Sequence, residues 1–358
     1  MLGLLCGLVL GYEGMIIGAG ACLGFGISNM KYWSRYRQLL LEIGICVGFC
    51  ICFLAPFSAL CFFRGIRGKW FAGKNFWSLL AVLLICYGAG LFFFDFHPPF
   101  YLSATKDHNR IAGHLFPAML CAVILTFAGI LYIRSFLLVQ LGLDRYNPDR
   151  FFILLLTFGL VGSFSFFFPL TGGSGNELIR GMNWNYPLQQ LLFLFSLKFI
   201  FSIMSSTCGI PGGFMIPVLA LGGTGGKLFG EFCCLYGWIM PEEINCFVLY
   251  GMCAMFVSVV RLPFTGIMLI LETTWQIQCV PGVLLSGLIG YYLPELLKQA
   301  GLYDLLQQRF HARTFARQQG LAMPVNFDEI RKLQYNSMTI RQVQILPPVS
   351  KTGNEDYQ

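Results

Sequence analysis

The sequence predicts an all-α, polytopic transmembrane protein built from an inverted repeat, with broken and tilted helices. Three observations predict it. The 358 residues are 56% hydrophobic and only 11% charged, with a mean hydropathy of +0.67, whereas soluble domains carry roughly 25% charged residues. Apolar runs of about 20 residues, one bilayer span each, recur along the chain. One stretch of the chain also returns later without a gap, as in transporters made of structural repeats.

The apolar runs are Leu39–Phe63, Phe76–Phe94, Leu115–Leu138, Phe151–Phe168, Leu188–Met204, Phe247–Val260 and Val280–Leu297. Some are short or interrupted by Gly and Pro, which a membrane helix tolerates where it lines a polar cavity or packs within protein. Met1–Leu10 has neither a basic leader nor a small-residue cleavage site. The chain begins almost inside an apolar run, so the expectation is a transmembrane domain over 1–308 whose N-terminal helices are missing. Residues 309–358 are polar, with Pro347-Pro348 and no hydrophobic span, and read as a short cytosolic tail.

The net charge of +7 reads as positive-inside loops and not as a nucleic-acid surface. Arg64, Arg67, Lys69 and Lys74 form one basic loop, and Arg134, Arg145 and Arg150 flank another, both expected on the cytoplasmic side. Asp95–Asn109 then falls outside. Most of the 14 cysteines, such as Cys46, Cys50, Cys52, Cys61, Cys86 and Cys121, lie in apolar runs without a CxxC pair, where Cys behaves as a small hydrophobe. The four histidines have no metal-ligand spacing. No metal or cofactor is expected, and no enzymatic activity.

The repeat aligns Gly44-Ile-Cys-Val-Gly-Phe-Cys-Ile-Cys-Phe-Leu-Ala-Pro-Phe-Ser-Ala59 with Gly251-Met-Cys-Ala-Met-Phe-Val-Ser-Val-Val-Arg-Leu-Pro-Phe-Thr-Gly266. A glycine-rich helix start precedes each copy. Gly11-Tyr-Glu-Gly14 leads to Gly20 and Gly24, and Gly212-Gly-Phe-Met-Ile-Pro217 leads to Gly222 and Gly226. The GxxxG spacing allows close helix packing. Gly223–Gly226 followed by Lys227 lacks the spacing of a phosphate loop.

The second helix start, Gly209-Ile-Pro-Gly-Gly-Phe-Met-Ile-Pro217, has a use inside a membrane. Glycines let backbone amides face a ligand, and Pro217 suits a first helical turn, where its missing N–H costs nothing. The free amides and the positive end of the helix dipole make an anion site within the bilayer. Glu13, between glycines at the other helix start, is an ionisable residue in an apolar context, which in a membrane is expensive and functional. Its carboxylate can take an anion's place when charged and leave when protonated; the bland reading is a capping carboxylate. Tyr303, in Gly301-Leu-Tyr-Asp-Leu305, is either an anion-donating hydroxyl or an interfacial belt tyrosine. Glu272 reads as a helix-packing or interfacial charge, and Gly172-Gly-Ser-Gly-Asn-Glu177 as a loop before a helix.

These motifs resemble those of the CLC family of chloride channels and proton-coupled chloride transporters. Gly11-Tyr-Glu-Gly14 is similar to the family's gating motif, Gly213-Phe-Met-Ile-Pro217 to its G-x-F-x-P motif, and Gly209-Ile-Pro-Gly-Gly213 to the linker before it. Arg261-Leu-Pro-Phe-Thr-Gly266 through Leu271-Glu-Thr273 resembles the R-A-P-L-T-G…L-E-x-T segment, and Gly301-Leu-Tyr303 the ending that carries an anion-binding tyrosine. The resemblance runs from residue 1 to about Arg313. It implies chloride or another small anion as the cargo, a cell-membrane homodimer with one pathway per subunit, and Glu13 as the gate. It further implies that the central anion is held by Gly14, the Phe214 and Met215 amides and the Tyr303 hydroxyl, with Gly11, Gly212, Gly213 and Pro217 shaping the helix starts.

Departures from the family pattern are specific. Tyr12 replaces a basic residue, Met15 a proline, and Met215 a phenylalanine. The family's serine-bearing G-S-G-I-P segment has no counterpart upstream. Arg64-Gly-Ile66 stands where transporters of the family carry a proton-relay glutamate, which puts coupled exchange in doubt. The paired nucleotide-binding modules of many eukaryotic relatives are absent. A fluoride-exporting relative and a non-conducting remnant or assembly partner are the alternative readings.

Overall fold

The computed structural model describes residues 7–30, 32–67, 74–93, 99–100, 102, 115–146, 149–183, 187–210 and 212–307. The expected cytosolic tail, the chain up to residue 6 and nearly all of Asp95–Asn109 lie outside the described residues. The elements are helical: α1 (Glu13–Ser28), α2 (Arg37–Phe53), α3 (Pro56–Arg67), α4 (Lys74–Phe93), α5 (Leu115–Tyr146), α6 (Arg150–Phe167), α7 (Asn176–Arg180), α8 (Leu188–Thr207), α9 (Met215–Leu235), α10 (Ile244–Val260), α11 (Pro263–Thr274) and α12 (Val280–Leu296), then a helical turn over 302–307. Among the described residues, seven helices are long and apolar enough to cross a membrane.

The first apolar run, Leu39–Phe63, is two helices rather than one. Leu54 ends α2 in the left-handed conformation (φ 48°, ψ 45°), and Pro56 opens α3. The aligned residue of the second copy, Arg261, ends α10 in the same way (φ 64°, ψ 27°), and Pro263 opens α11. A non-glycine residue in this region costs about 1–2 kcal/mol, so the reversal is imposed by packing. At Arg261 the packing is visible: the guanidinium lies 4.9 Å from the Tyr291 ring centre and donates to the Tyr291 carbonyl.

The helix pairs of the two copies touch at matching glycines. A methyl group built on Gly44 would stand 2.1 Å from the Gly20 carbonyl oxygen, and one on Gly251 would stand 2.3 Å from that of Gly222. The next contacts match as well: Gly24 against the Leu40 carbonyl at 2.2 Å, and Gly226 against the Phe247 carbonyl at 2.1 Å. Helices in lipid associate by van der Waals packing, and small residues set how closely their backbones approach. α1 lies on α2 and α9 lies on α10 for this reason.

The copies are inverted. Gly11 and Gly213, equivalent residues, form a reciprocal antiparallel bridge, with Gly11 N–H to Gly213 O at 2.7 Å and Gly213 N–H to Gly11 O at 2.9 Å. Two equivalent residues exchange identical bonds only when a two-fold axis passes between them. A second tie crosses the repeats: Glu272 of α11 accepts from the amides of Phe57 (2.9 Å) and Ser58 (2.7 Å), and from the Ser58 hydroxyl, at the start of α3. It is a helix cap from the other repeat, not an interfacial charge.

Burial is less symmetric than topology. α10 is buried along nearly its whole length, with α5, α9 and α12 around it, whereas Leu23, Phe25 and Ile27 of α1 are exposed. α5 has 32 residues, about 48 Å at ~1.5 Å per residue against an apolar core of ~30 Å, so it tilts or projects from the bilayer. Arg134, expected at a loop flank, lies inside α5, and its Nε donates to the Gln299 side chain at 3.3 Å.

The glycine contacts yield a prediction. Gly251→Ala should destabilise the protein by about 1–3 kcal/mol, the usual cost of overpacking. Gly18→Ala, at a glycine with no atom within 4 Å of the added methyl, should be neutral within about 0.5 kcal/mol. Thermal unfolding in detergent reads both, and equal stabilities would refute the close-approach argument.

Candidate anion-binding site

The bridge between Gly11 and Gly213 brings the two helix starts together near the centre of the fold. α9 begins at Met215, with Phe214 at its N-cap position and no side-chain cap from the chain segment before it. Its first amides therefore need partners from elsewhere. Pro217, third in the helix, has no N–H, so the available donors concentrate at Met215 and Ile216.

Glu13 supplies the acceptor. Its Oε1 receives the Met215 N–H at 2.6 Å and the Ile216 N–H at 3.3 Å. The side chain is 1% exposed, and Oε2 has no hydrogen-bond partner. Glu13 is the first residue of α1, but its carboxylate reaches the N-terminus of α9, so the cap it forms belongs to the other repeat. Bonds of this type, from an N–H to an ionised group, are worth about 1.5–3 kcal/mol, and the helix dipole adds to them.

The carboxylate lies in a slot made by missing side chains. A methyl group built on Gly11 would fall 1.6 Å from Oε2, and one on Gly213 would fall 2.1 Å from the carboxyl carbon. Gly14 approaches the same backbone, its added methyl being 3.1 Å from the Gly213 nitrogen, and Gly212 packs on Leu10. Gly11 and Gly213 thus flank the carboxylate, with Gly14 packed on the Gly212–Gly213 backbone beside them. Any side chain at Gly11 or Gly213 excludes the Glu13 carboxylate.

Tyr303 stands on the turn 302–307, packed against the core, with its ring centre 4.9 Å from that of Phe214 and 6.5 Å from that of Phe62. Tyr303 thus packs on Phe214, the residue before the Met215 amide that meets Glu13. The Ile216 amide also faces Glu13 and was not among the expected donors, whereas the bonds to Glu13 come from Met215 and Ile216, not from Phe214.

The wall behind Glu13 is polar where the sequence appears plain. Tyr12 accepts from the Asn176 side-chain amide at 2.8 Å. The loop before Asn176 turns at Gly173 and Gly175, both with positive φ (64° and 101°), which glycine adopts without a Cβ clash. Lys198 of α8, fully buried, donates to the carbonyls of Thr171 (3.3 Å), Gly172 (2.7 Å) and Gly173 (3.1 Å) in that loop. A buried ammonium in a membrane domain needs such acceptors. The visible signal for Lys198 was a lone cation in the apolar run Leu188–Met204.

Comparison with known proteins identifies the family and the fold. Residues 1–295 match the protein family described as "Voltage gated chloride channel". Among solved structures, the chain is similar to a slow cyanobacterial Cl−/H+ antiporter, with a TM-score of 0.75, 19% identity, and 86% of this chain and 73% of that one covered. It is also similar to a CLC-type fluoride/proton antiporter, with a TM-score of 0.64, 19% identity, and 80% and 70% covered. A eukaryotic CLC transporter gives a TM-score of 0.65 at 18% identity, with 83% of this chain and 52% of that one covered. At these identities the structures speak for the fold. With the family match across most of its length, the inverted repeat and the helices that span a membrane, the chain belongs to the voltage gated chloride channel family, as a multi-pass integral membrane protein of the CLC anion-transport fold.

Proposed function

We propose that this protein moves chloride across the membrane, and that the Glu13 carboxylate is its gate. The observation that carries the reading is the Glu13 Oε1 on the Met215 and Ile216 amides. A carboxylate oxygen and a halide compete for the same donors at a helix N-terminus. While charged, Glu13 holds the amides. Protonation removes the charge that the amides and the dipole favour, the side chain leaves, and chloride takes the vacated donors. The Phe214 amide, Gly14 and the Tyr303 hydroxyl border the same place and complete the proposed anion shell. Because Glu13 and the ion both lie within the membrane field, flux should respond to voltage.

Chloride is favoured over fluoride as the cargo because Tyr303 is retained. The protein is proposed to work as a homodimer with one pathway per subunit, its transmembrane unit over 1–308 and its cytosolic tail over 309–358. Single-molecule photobleaching in lipid should give two steps for a labelled chain; one step would remove the dimer from the reading.

Chloride efflux from proteoliposomes tests the gate. Wild-type flux should rise as pH falls, since protonation frees the amides. Glu13→Gln should raise flux at neutral pH and flatten the pH dependence. A mutant with unchanged flux and pH profile would leave Glu13 only a capping role. No flux from either protein would favour a non-conducting assembly partner.

Coupling is a separate matter. Arg64, Gly65 and Ile66 carry no carboxylate, so chloride should move with little proton movement. A pH electrode following vesicles under a chloride gradient reads this directly. A fixed, substantial proton-to-chloride ratio would defeat the expectation and point to another relay residue.

A further inference from the structure

The two repeats differ in how one pair of equivalent helix starts is closed. At α3, Glu272 accepts from the Phe57 amide (2.9 Å), the Ser58 amide (2.7 Å) and the Ser58 hydroxyl. The alignment that places Gly44 on Gly251 places Phe57 on Phe264, Ser58 on Thr265 and Gly65 on Glu272. The inverted symmetry therefore asks for a carboxylate at position 65 to close the start of α11, and the residue there is glycine.

The consequence is visible at Thr265. It is 1% exposed, and its hydroxyl oxygen has no hydrogen-bond partner, although its mate Ser58 is bound to Glu272. A buried hydroxyl left alone is costly and calls for an occupant. Pro263, the first residue of α11, has no N–H, and the Gly266 N–H goes to the Leu262 carbonyl at 3.0 Å. The amides that correspond to the bound pair at α3 are those of Phe264 and Thr265. Gly65 faces this end: a methyl group built on it would stand 2.4 Å from a terminal carbon of Leu262, the N-cap residue of α11. The Arg64 guanidinium carbon lies 6.0 Å from the Phe264 ring centre.

We propose that the N-terminus of α11 is a second anion site, where a small inorganic anion such as chloride replaces the carboxylate that position 65 lacks. It is separate from the site at α9, because its donors are the Phe264 and Thr265 amides and the Thr265 hydroxyl. The dipole of a helix of 12 residues favours an anion over a neutral occupant. The site ties the end of α3 to the start of α11, and its occupation should add a chloride-dependent increment to stability.

Bromide, read by anomalous diffraction from crystals of the full chain, tests it. Wild type should show bromide within hydrogen-bond reach of the Thr265 hydroxyl. Gly65→Glu should abolish that peak and leave any bromide at α9 unchanged, since the new carboxylate fills the site. Thr265→Val, nearly isosteric, should weaken bromide binding there about tenfold, the effect of losing one hydrogen bond to a charged group. In solution, chloride should raise the melting temperature of wild type more than that of either variant. Water alone at α11 in saturating bromide would overturn the proposal, as would a full bromide peak in Gly65→Glu or an unchanged bromide affinity in Thr265→Val. Bromide at α11 with none near α9 would count against the Glu13 reading and not against this one.

Discussion

The structure depends on a buried carboxylate set on the start of a helix from the opposite repeat. Glu13 would be ruinous alone in an apolar interior, since a buried charge costs several kcal/mol unless it is met. The α9 start is likewise incomplete without an acceptor for Met215 and Ile216. Each defect answers the other. The pairing works only because the backbones of Gly11 and Gly213 approach closely enough to bridge and carry no side chain where the carboxyl group must lie. One oxygen of Glu13 remains without a partner, so the arrangement holds the group without saturating it, which is what the proposed gating role needs.

Around that centre, glycine sets the architecture twice over. The contacts of Gly20 with Gly44 and of Gly222 with Gly251 place two helix pairs at backbone distance. The left-handed residues Leu54 and Arg261 then turn each pair into a short helix opened by proline. Inverted symmetry brings these units face to face, so that acids of one repeat cap helices of the other. Glu13 does so at α9 and Glu272 at α3. Where the sequence breaks the symmetry, at Gly65, a buried hydroxyl is left without a partner, and the proposed second site rests on that break.

The symmetry does not extend to the surroundings. α10 is wrapped by neighbouring helices, and its mate α2 keeps Ile51 exposed. In the second repeat the loop from Thr171 to Asn176 is held by Lys198 and reaches Tyr12 through Asn176.

The sequence by itself determined the membrane class, the helical fold and the repeat, because hydropathy, Gly and Pro act locally and leave a one-dimensional trace. It also pointed to Glu13 and Gly213, since an acid between glycines in an apolar run and a glycine–proline helix start are rare enough to be seen without coordinates, whereas Tyr303 was singled out only by the family resemblance. It did not reveal that Leu39–Phe63 breaks at Leu54, where the backbone adopts a conformation that packing imposes and propensity disfavours. It did not reveal which amides Glu13 would meet, that Glu272 caps a helix far away in the chain, or that Lys198 is held by three carbonyls. Those are contacts between segments distant in sequence, and their partners are backbone groups that every residue carries. Only the tertiary structure can select among such groups, because selection there is by position and not by residue type.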